Sequence, residues 1–354
     1  MMYLYIEHTK TIKEAFATVS LKDIAAYCGV SIATVSKALN GHTDISDATR
    51  QRVLTAAREL GYTANVMARA LKTNRTYNIG IIYEELQNSG FMHEYFASML
   101  NSFRGEAEQR GYDITFINCN FGHIRDSFLQ HARYRRVEGV AIICADFLDP
   151  LVHELAYSDI PVVTLDHAYD ERMAVLSDNM NGLEELVRFV YAKGHRRIAY
   201  IHGNATAVTE RRLRGFYRAC EELGLSVPEE YVVPAMYHAP AGCYAATQKL
   251  LQVTPRPTCI LFPDDYAYLG GLNAITEAGL SIPDDVSAVG YDGIYLARTV
   301  SPKLTTWQQN TAELGRIAAS RLIERIEHPR TTLPEHLVIS GSIYEGGSVK
   351  DLLN

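Results

Sequence analysis

The sequence predicts an α/β protein with a small helical unit at its N-terminal end. Residues 19–40 have the pattern of two short helices joined by a sharp turn, whereas the chain from Ile79 onward alternates β-branched apolar runs with amphipathic stretches. About 275 residues follow the helical unit, which is more than one α/β core usually holds. We therefore expect a helical headpiece, residues 19–64, followed by a body of two lobes, residues 79–354.

The headpiece begins with a helix-turn-helix pattern. A first helix over residues 21–27 stops at Gly29, and the hydroxyl of Ser31 can cap the start of a second helix. An ordinary helical hairpin inside a core is the alternative. In a DNA-binding unit, the start and outer face of the second helix meet base edges and phosphates. The side chains predicted there are Ser31, Ile32, Ala33, Thr34, Ser36 and Lys37.

A third helix and the charge distribution both favour DNA binding. Ser46 can cap a helix through about Leu60, and its apolar side would cover the first two helices. Residues 19–78 carry eight basic and four acidic side chains, a net charge of +4, although the whole chain has a net charge of −7. A basic end on an acidic body is expected where only that end meets phosphates. The acidic overall balance therefore does not exclude DNA.

The next segment, residues 65–78, predicts a hinge helix and a linker. Its helical part is too short to be stable alone in water. Asn65 can cap this helix, Ala68 is small enough for two copies to pack side by side, and Leu71 could wedge between base pairs in the minor groove. From composition alone, a linker helix without DNA contact is equally compatible.

The body alternates predicted strands and helices. Such alternation indicates parallel sheets covered on both faces. The predicted strands are residues 79–83, 114–118, 140–144, 161–165, 198–202, 259–262 and 286–291. The clearest predicted helices are residues 92–110, 182–192 and 213–223.

The motifs of the headpiece and its surroundings carry a family resemblance. The runs GVSIATVSKALNG, ISDATRQRVLTAARELGY and NVMARAL, followed by IGII from Ile79, resemble the LacI/GalR family of transcriptional regulators. The resemblance extends from Val19 to about Gly346. It implies that Ile32 and Ala33 read operator bases, with Lys37 near a third reading position. It also implies that Thr34 and Ser36 hold phosphates and that Leu71 is the minor-groove wedge of a hinge helix.

One position of the recognition helix departs from this pattern. Lys37 stands where an arginine is common in the family. Lysine keeps the positive charge but lacks the planar guanidinium fork that suits guanine. The sequence therefore does not determine which operator base Lys37 contacts.

The resemblance also implies a periplasmic-binding-protein-like body whose lobes are joined by three crossovers. We place these crossovers near Ser177, near 305–308 and near Pro334. Lobe 1 would then consist of about 79–177 and 308–334. Lobe 2 would consist of about 178–305 and 335–354.

Polar residues at the carboxyl ends of the predicted strands are the first candidates for a ligand site, because ligands of open parallel sheets bind there. Asp166, Asp264, Asp265 and Asp292 each end a strand, and Arg212 lies near the start of a helix. Carboxylates accept hydroxyl donors and an arginine fork supplies donors, which suits a sugar or another polyol. A single acid at such a place can equally cap a helix or bridge the lobes.

The resemblance selects among these candidates. It implies effector contacts for Asp166, Arg212 and Asp292. The family usually has Asn-Asp where this chain has Asp264-Asp265, and the added carboxylate favours hydroxyl-rich or cationic effectors over anionic ones. Three aromatic residues are further candidates for the effector site, although Tyr237 and Trp307 could instead belong to the core: Phe91, Tyr237 and Trp307.

A family signature, D-N-x-x-G, begins at Asp178, and we interpret it as structural, with Asp178 capping the following helix. His195 is likewise interpreted as a polar capping residue rather than a catalytic base.

Other function classes find little support. The Rossmann glycine motif, the phosphate-binding G-x-x-x-x-G-K, G-x-S-x-G and H-E-x-x-H are all missing, so no catalytic residues, cofactor or metal ligands are predicted. The six cysteines show no C-x-x-C spacing and fit reduced thiols in the cytoplasm. No membrane span or signal peptide is evident. A secreted sugar receptor would need an export signal and lack the headpiece, and a sugar-converting enzyme would need a recognisable nucleophile and base.

We therefore predict a regulator that acts as a repressor in the cytoplasm, at the nucleoid. It is expected to be a homodimer that binds a near-palindromic double-stranded DNA operator under control of a small-molecule effector, a sugar or sugar derivative. Residues 1–18 form an extension of unclear role.

Overall fold

The computed structural model describes residues 19–39, 42, 44–62, 75–84, 93–121, 124–125 and 127–353. The chain divides into two compact units between Thr76 and Tyr77. The first unit contains the three headpiece helices, and the second contains two six-stranded sheets.

The headpiece helices are α1 (Leu21–Cys28), α2 (Ile32–Leu39) and α3 (Asp47–Glu59). Ser20 and Asp23 form a reciprocal capping box at the start of α1, and Gly29 ends it in the left-handed region with φ 62°. One apolar cluster joins the helices. Its fully buried members are Ile24, Ala25, Val35, Ala38, Val53, Ala56 and Ala57. The apolar side of α3 therefore covers the first two helices, as predicted.

The first sheet of the body is entirely parallel and has the order β13-β7-β6-β5-β1-β2. Its strands are β1 (Asn78–Tyr83), β2 (Asp113–Phe116), β5 (Gly139–Cys144), β6 (Val162–Leu165), β7 (Met173–Ser177) and β13 (His336–Ile339). A separate short hairpin consists of β3 (Asn120–Phe121) and β4 (Ile124–Arg125).

The second sheet has the order β14-β12-β11-β10-β8-β9, and only β14 runs antiparallel to its neighbour. Its strands are β8 (Ile198–His202), β9 (Val232–Pro234), β10 (Cys259–Leu261), β11 (Ser287–Asp292), β12 (Thr305–Gln308) and β14 (Ser342–Tyr344).

Helices pack against both sheets. They are α4 (Glu94–Gln109), α5 (Phe128–Arg135), α6 (Pro150–Ala156), α7 (Asn179–Ala192), α8 (Ala207–Glu222), α9 (Pro240–Gln252), α10 (Tyr268–Glu277), α11 (Leu296–Thr299) and α12 (Thr311–Glu327), with a 3₁₀ turn at Glu229–Tyr231. In the first lobe, α4 and α12 lie side by side and share one apolar core with the sheet. None of the helices within the described ranges is long and apolar enough to cross a bilayer.

The chain passes between the two lobes three times. It crosses between β7 and α7, between β12 and α12, and between β13 and β14. The third crossover was expected near Pro334, which would place residues 335–339 in lobe 2. This expectation is wrong, because β13 pairs in parallel with β7 of the first sheet, for example Val338 with Leu176. The second crossover, predicted near 305–308, directly follows strand β12 of the second sheet, which these residues form.

Close packing of α9 on α10 yields a stability prediction. A Cβ atom at Gly270 would overlap the carbonyl oxygen of Pro240, so Gly270→Ala should lower the free energy of unfolding by about 1–3 kcal/mol. The control is Gly242→Ala, on α9, where the nearest atom to the new Cβ lies at an ordinary contact distance of 3.8 Å. It should be neutral or stabilising by up to about 1 kcal/mol. Urea unfolding of both variants measures the difference, and equal stabilities would contradict this packing.

Candidate functional site

The start of α2 is exposed in the headpiece, and we call it the reading surface because the sequence predicts DNA contacts there. The amide of Thr34 donates to Ser31 Oγ at 3.1 Å, and the two hydroxyl oxygens lie 2.8 Å apart, so Ser31 caps the helix. Ser31 and Ala33 are exposed, and Ile32, a large apolar residue, is 49% exposed. Thr34 and Ser36 are half-buried at the edge of this surface. An apolar side chain left uncovered on a recognition helix is suited to contact with base edges.

Lys37 lies further along the same helix and is held by an acid. Its Nζ atom lies 2.5 Å from Asp44 Oδ2, and both side chains are about half-exposed. The ion pair draws the lysine toward the turn that precedes α3. Asn65, Ala68 and Leu71, the predicted hinge residues, lie outside the described residues, as does Phe91.

In the body, a cleft between the two lobes encloses about 1070 Å³ of space, its open mouth included. The first lobe contributes Tyr95, Ile143, Phe147 and Asp166 among others, and the second contributes Arg212, Tyr237, His238 and Asp292. The cleft lies beyond the carboxyl ends of several parallel strands, as expected for this sheet topology.

Arg212 is the central cation of this cleft. It is 4% exposed, and its Nε donates to Asn179 Oδ1 and its Nη1 to the Pro263 carbonyl, both at 2.8 Å. The guanidinium lies 3.6 Å from the ring centroid of Tyr291. Its Nη2 lies 3.9 Å from Asp292 Oδ1. Two hydrogen bonds and one stacked ring therefore fix the plane of the guanidinium, while its remaining nitrogen faces the carboxylate.

Asp292, at the end of β11, is held in an unusual backbone conformation with φ 104°. Gln309 Nε2 donates to its Oδ1 at 2.6 Å. Burial raises the pKa of Asp292 to about 7, and the neighbouring Arg212 charge only partly offsets this effect. The carboxyl group is therefore poised to exchange a proton near neutral pH.

Asp166 occupies the corresponding place in the first lobe and is surrounded by donors. Tyr95 Oη donates to its Oδ2 at 2.7 Å, the Ser177 amide donates to its Oδ1 at 2.7 Å, and Asn179 Nδ2 donates to Oδ1 at 3.3 Å. Burial and the nearby Asp166 carboxylate raise the pKa of the Tyr95 phenol well above its usual value, so it remains a donor.

Asn179 thus connects the two lobes, because its amide nitrogen binds Asp166 and its amide oxygen binds Arg212. Sequence reasoning assigned no ligand role to the D-N-x-x-G signature that contains it. The predicted capping role of its first residue is a further correction: Asp178 makes no side-chain cap bond, and its Oδ2 instead accepts from Ser340 Oγ at 3.2 Å.

The acids that end β10 do not line the cleft. Asp264 is 1% exposed, and its two oxygens accept the amides of Ala267 at 2.7 Å and His238 at 2.8 Å. Burial opposes its ionisation, but the hydrogen bonds and charge of His238 outweigh burial and hold the pKa of Asp264 below its usual value. Asp265 accepts from Thr306 Oγ1 at 2.6 Å behind the sheet. The expectation of direct effector contact by Asp264 is therefore corrected, because Asp264 is buried outside the lining of the cleft, with one oxygen bound to the Ala267 amide and the other to the His238 amide.

The two aromatic candidates separate in the structure. Trp307 is 3% exposed and belongs to the core beneath α7, so the expectation that it stacks on an effector is corrected. Tyr237 lines the cleft. Its ring packs against Gly203, where any side chain would overlap it, and its hydroxyl lies 2.8 Å from Thr209 Oγ1.

His195 is a structural residue of the second lobe rather than a helix cap. It is buried, with Nδ1 2.9 Å from Thr258 Oγ1 and Nε2 3.1 Å from the Lys350 carbonyl oxygen.

Comparison with known proteins gives the family. A family model described as bacterial regulatory proteins, lacI family, matches residues 20–65, and one described as a periplasmic binding protein-like domain matches residues 187–349. The chain is 32% identical over 338 residues to the HTH-type transcriptional repressor PurR of Escherichia coli O139:H28, covering 94% of this chain and 97% of that protein.

Solved structures agree. The fold is similar to a complex of the transcriptional regulator CelR with cellobiose, with 27% identity, a TM-score of 0.68 and coverage of 93% of this chain and 99% of that one. It is also similar to the lac repressor dimer bound to operator and the anti-inducer ONPF, with 24% identity, a TM-score of 0.81 and coverage of 94% and 99%, which shows a likeness of fold alone. The chain therefore belongs to the LacI/GalR family of transcriptional regulators and is a DNA-binding repressor, not an enzyme.

Proposed function

We propose that a sugar or sugar derivative bound between the two lobes controls the affinity of this repressor for its operator. The observation that carries the proposal is the meeting of Asp166, Arg212 and Asp292 in one cleft. Two carboxylates can accept hydroxyl hydrogens while the guanidinium donates to a hydroxyl oxygen. The half-buried ring of Tyr237 adds a surface on which the apolar face of a sugar ring can pack. One similar solved structure, at 27% identity, is a complex of the transcriptional regulator CelR with cellobiose.

The aromatic wall of the first lobe favours a second candidate. Phe147 and His167 stack with ring centroids 4.3 Å apart and planes inclined by only 6°. Such a flat wall also suits a planar heterocycle, for example a nucleobase. A ligand screen must therefore include both classes.

The proposed coupling runs through the lobes. An effector that contacts Asp166 and Asp292 together would favour a closed cleft, and a population shift follows from any difference in its affinity for the open and closed forms. In a homodimer, closure would shift the two first lobes relative to each other and change the spacing of the hinge helices. Asn65, Ala68 and Leu71 are proposed to form those helices in the minor groove at the centre of a near-palindromic operator.

On DNA, we propose that Ile32, Ala33 and Lys37 meet base edges, and that Ser31, Thr34 and Ser36 contact phosphates and the groove edge. The exposure of the start of α2 supports this assignment. We infer that the protein acts in the cytoplasm, at the nucleoid where its operator lies.

A thermal-shift screen of pentoses, hexoses, disaccharides and nucleobases tests the effector class. A sugar present at 100 times its Kd should stabilise the wild type by about 2.7 kcal/mol, because it binds only the folded protein.

Arg212→Lys should lose at least about tenfold in affinity for that sugar, because lysine cannot keep the bonds to Asn179 and Pro263 while facing Asp292. Arg214→Ala is the matched control, since Arg214 is exposed on the same helix. Stabilisation by nucleobases but by none of the sugars would replace the first candidate with the second.

The raised pKa of Asp292 predicts a pH-dependent stability. Its pKa rises from 3.8 to about 7 on folding, so the folded form binds an extra proton between these values. The stabilising contribution is complete below pH 4 and is lost as the pH rises to 7. Relative to wild type, Asp292→Asn should gain stability across this range by up to about 1.4 kcal/mol per pH unit and then level off. Urea unfolding at pH 4–8 measures this, with the exposed Asp284→Asn as control; a constant difference would contradict the shift.

The ion pair in the headpiece predicts a change in DNA affinity. Asp44→Asn removes the partner of Lys37 and one negative charge near the reading surface. Operator affinity should rise by roughly tenfold or less, and its dependence on salt should become steeper. Asp47→Asn removes a charge from the same unit without touching Lys37, so it measures the general effect of charge. Fluorescence anisotropy at several salt concentrations compares the two, and equal affinities would show that Asp44 does not restrain Lys37.

A further inference from the structure

Two histidines and an aspartate from different lobes meet beside the cleft. His93 directly precedes α4 of the first lobe, and His238 lies in the turn between β9 and α9 of the second. Their ring centroids are 3.6 Å apart, and His238 Nδ1 lies 3.6 Å from Asp264 Oδ1. Each of the three residues offers one ligand atom, a ring nitrogen or a carboxylate oxygen, such that the three atoms lie within 4.8 Å of one another.

The buried ring nitrogens of His93 need a hydrogen-bond partner or a bound ion. The residue is only 6% exposed, and neither of its ring nitrogens has a hydrogen-bond partner among the residues that the structure describes. Native proteins seldom leave a buried polar atom unsatisfied unless a ligand, ion or water serves it. A bound metal ion would satisfy one of these nitrogens.

The other two residues are held in place. The Ala267 amide donates to Asp264 Oδ1 and the His238 amide donates to Oδ2, and each oxygen keeps a second lone pair. The bond to Asp264 also fixes the turn at His238, whose φ is 56°. Hydrogen bonds of this kind orient the ligands of metal sites. Asp264 stands where the family pattern noted above has an amide, so the carboxylate is a feature of this chain.

We propose that His93, His238 and Asp264 bind one divalent transition-metal ion, with Zn²⁺ as the best match, and that the ion ties the two lobes together. Two imidazoles and a carboxylate are a ligand set typical of zinc, whereas Mg²⁺ and Ca²⁺ prefer oxygen ligands alone. The site requires only the two-lobed fold and does not rest on the identity of the effector.

An ion bound here would link the two lobes, because its ligands come from both. Ligand atoms about 2.0–2.1 Å from zinc cannot be more than about 4.2 Å apart. The three ligand atoms already lie within 4.8 Å of one another, so zinc binding requires at most a small approach of His93 to His238 and Asp264 and then holds the two lobes together. Three protein ligands leave a fourth tetrahedral position for water or for a donor atom from the cleft, which His238 lines.

The test uses the full chain, freed of metal with EDTA and then titrated with Zn²⁺ in competition with a chromogenic chelator. We expect one tight site per chain, a higher melting temperature with Zn²⁺ and the intense visible absorption of four-coordinate Co²⁺ after cobalt substitution. His93→Phe, which fills the same space without a ligand, should weaken zinc affinity by at least about 100-fold. His167→Gln is the matched control, because His167 lines the same cleft but lies outside the cluster.

Equal zinc affinity of the wild type and His93→Phe would overturn the proposal, as would weak six-coordinate cobalt absorption. Melting curves in EDTA establish that each variant is folded. Asp264→Asn serves as a second variant, and it should also lose zinc affinity while retaining an oxygen for the Ala267 amide. The titration contains neither sugar nor DNA, so its failure would leave the proposed effector untouched, and failure of the sugar screen would leave the zinc site untouched.

Discussion

The arrangement of the body depends on how a buried arginine is satisfied. Arg212 lies in the interior, where an uncompensated charge is strongly unfavourable. Arg212 donates a hydrogen bond to the side-chain amide of Asn179, and the same amide donates to Asp166. The Asn179 side chain, at a crossover between the lobes, therefore holds groups from both lobes in fixed positions. This network explains why the cleft presents charged groups in fixed orientations while most of its wall is aromatic or aliphatic. It also implies that a ligand bound to either carboxylate perturbs the contact between the lobes directly.

The headpiece was the most predictable part of the molecule, because its signals are local. Gly29, Ser31 and Ser46 act within a few residues of their own positions, at the end of α1 and at the starts of α2 and α3. Long apolar strands such as β5 were equally readable. In the two six-stranded sheets, five strands of five residues or fewer were not predicted, because short runs show little periodicity and depend on pairing with distant strands: β7, β9, β12, β13 and β14. We predicted the third crossover near Pro334, but the pairing of β13 with β7 keeps the chain in the first lobe until β13 ends.

The sequence predicted which types of residue form the site better than it predicted where their side chains point. A strand-end carboxylate can face the cleft, as Asp166 does, or turn to bind backbone amides, as Asp264 does, and only the following turn decides which. The same limit applies to Trp307 and Tyr237, because nothing in the neighbouring sequence indicates whether an aromatic side chain will face the core or the cleft. The histidine cluster had no spacing to detect, because positions 93, 238 and 264 meet only after both lobes have formed.

The interleaved path of the chain has an evolutionary consequence. Since β13 completes the first sheet only after most of the second has been built, neither lobe is a continuous stretch of sequence. If two related genes recombined at one point between β1 and β14, at least one sheet of the product would combine strands from both parents. An exchange between Thr76 and Tyr77, where the compact units divide, would preserve each core intact. Operator preference can therefore be inherited separately from ligand preference, whereas the two halves of the sensing module must be inherited together.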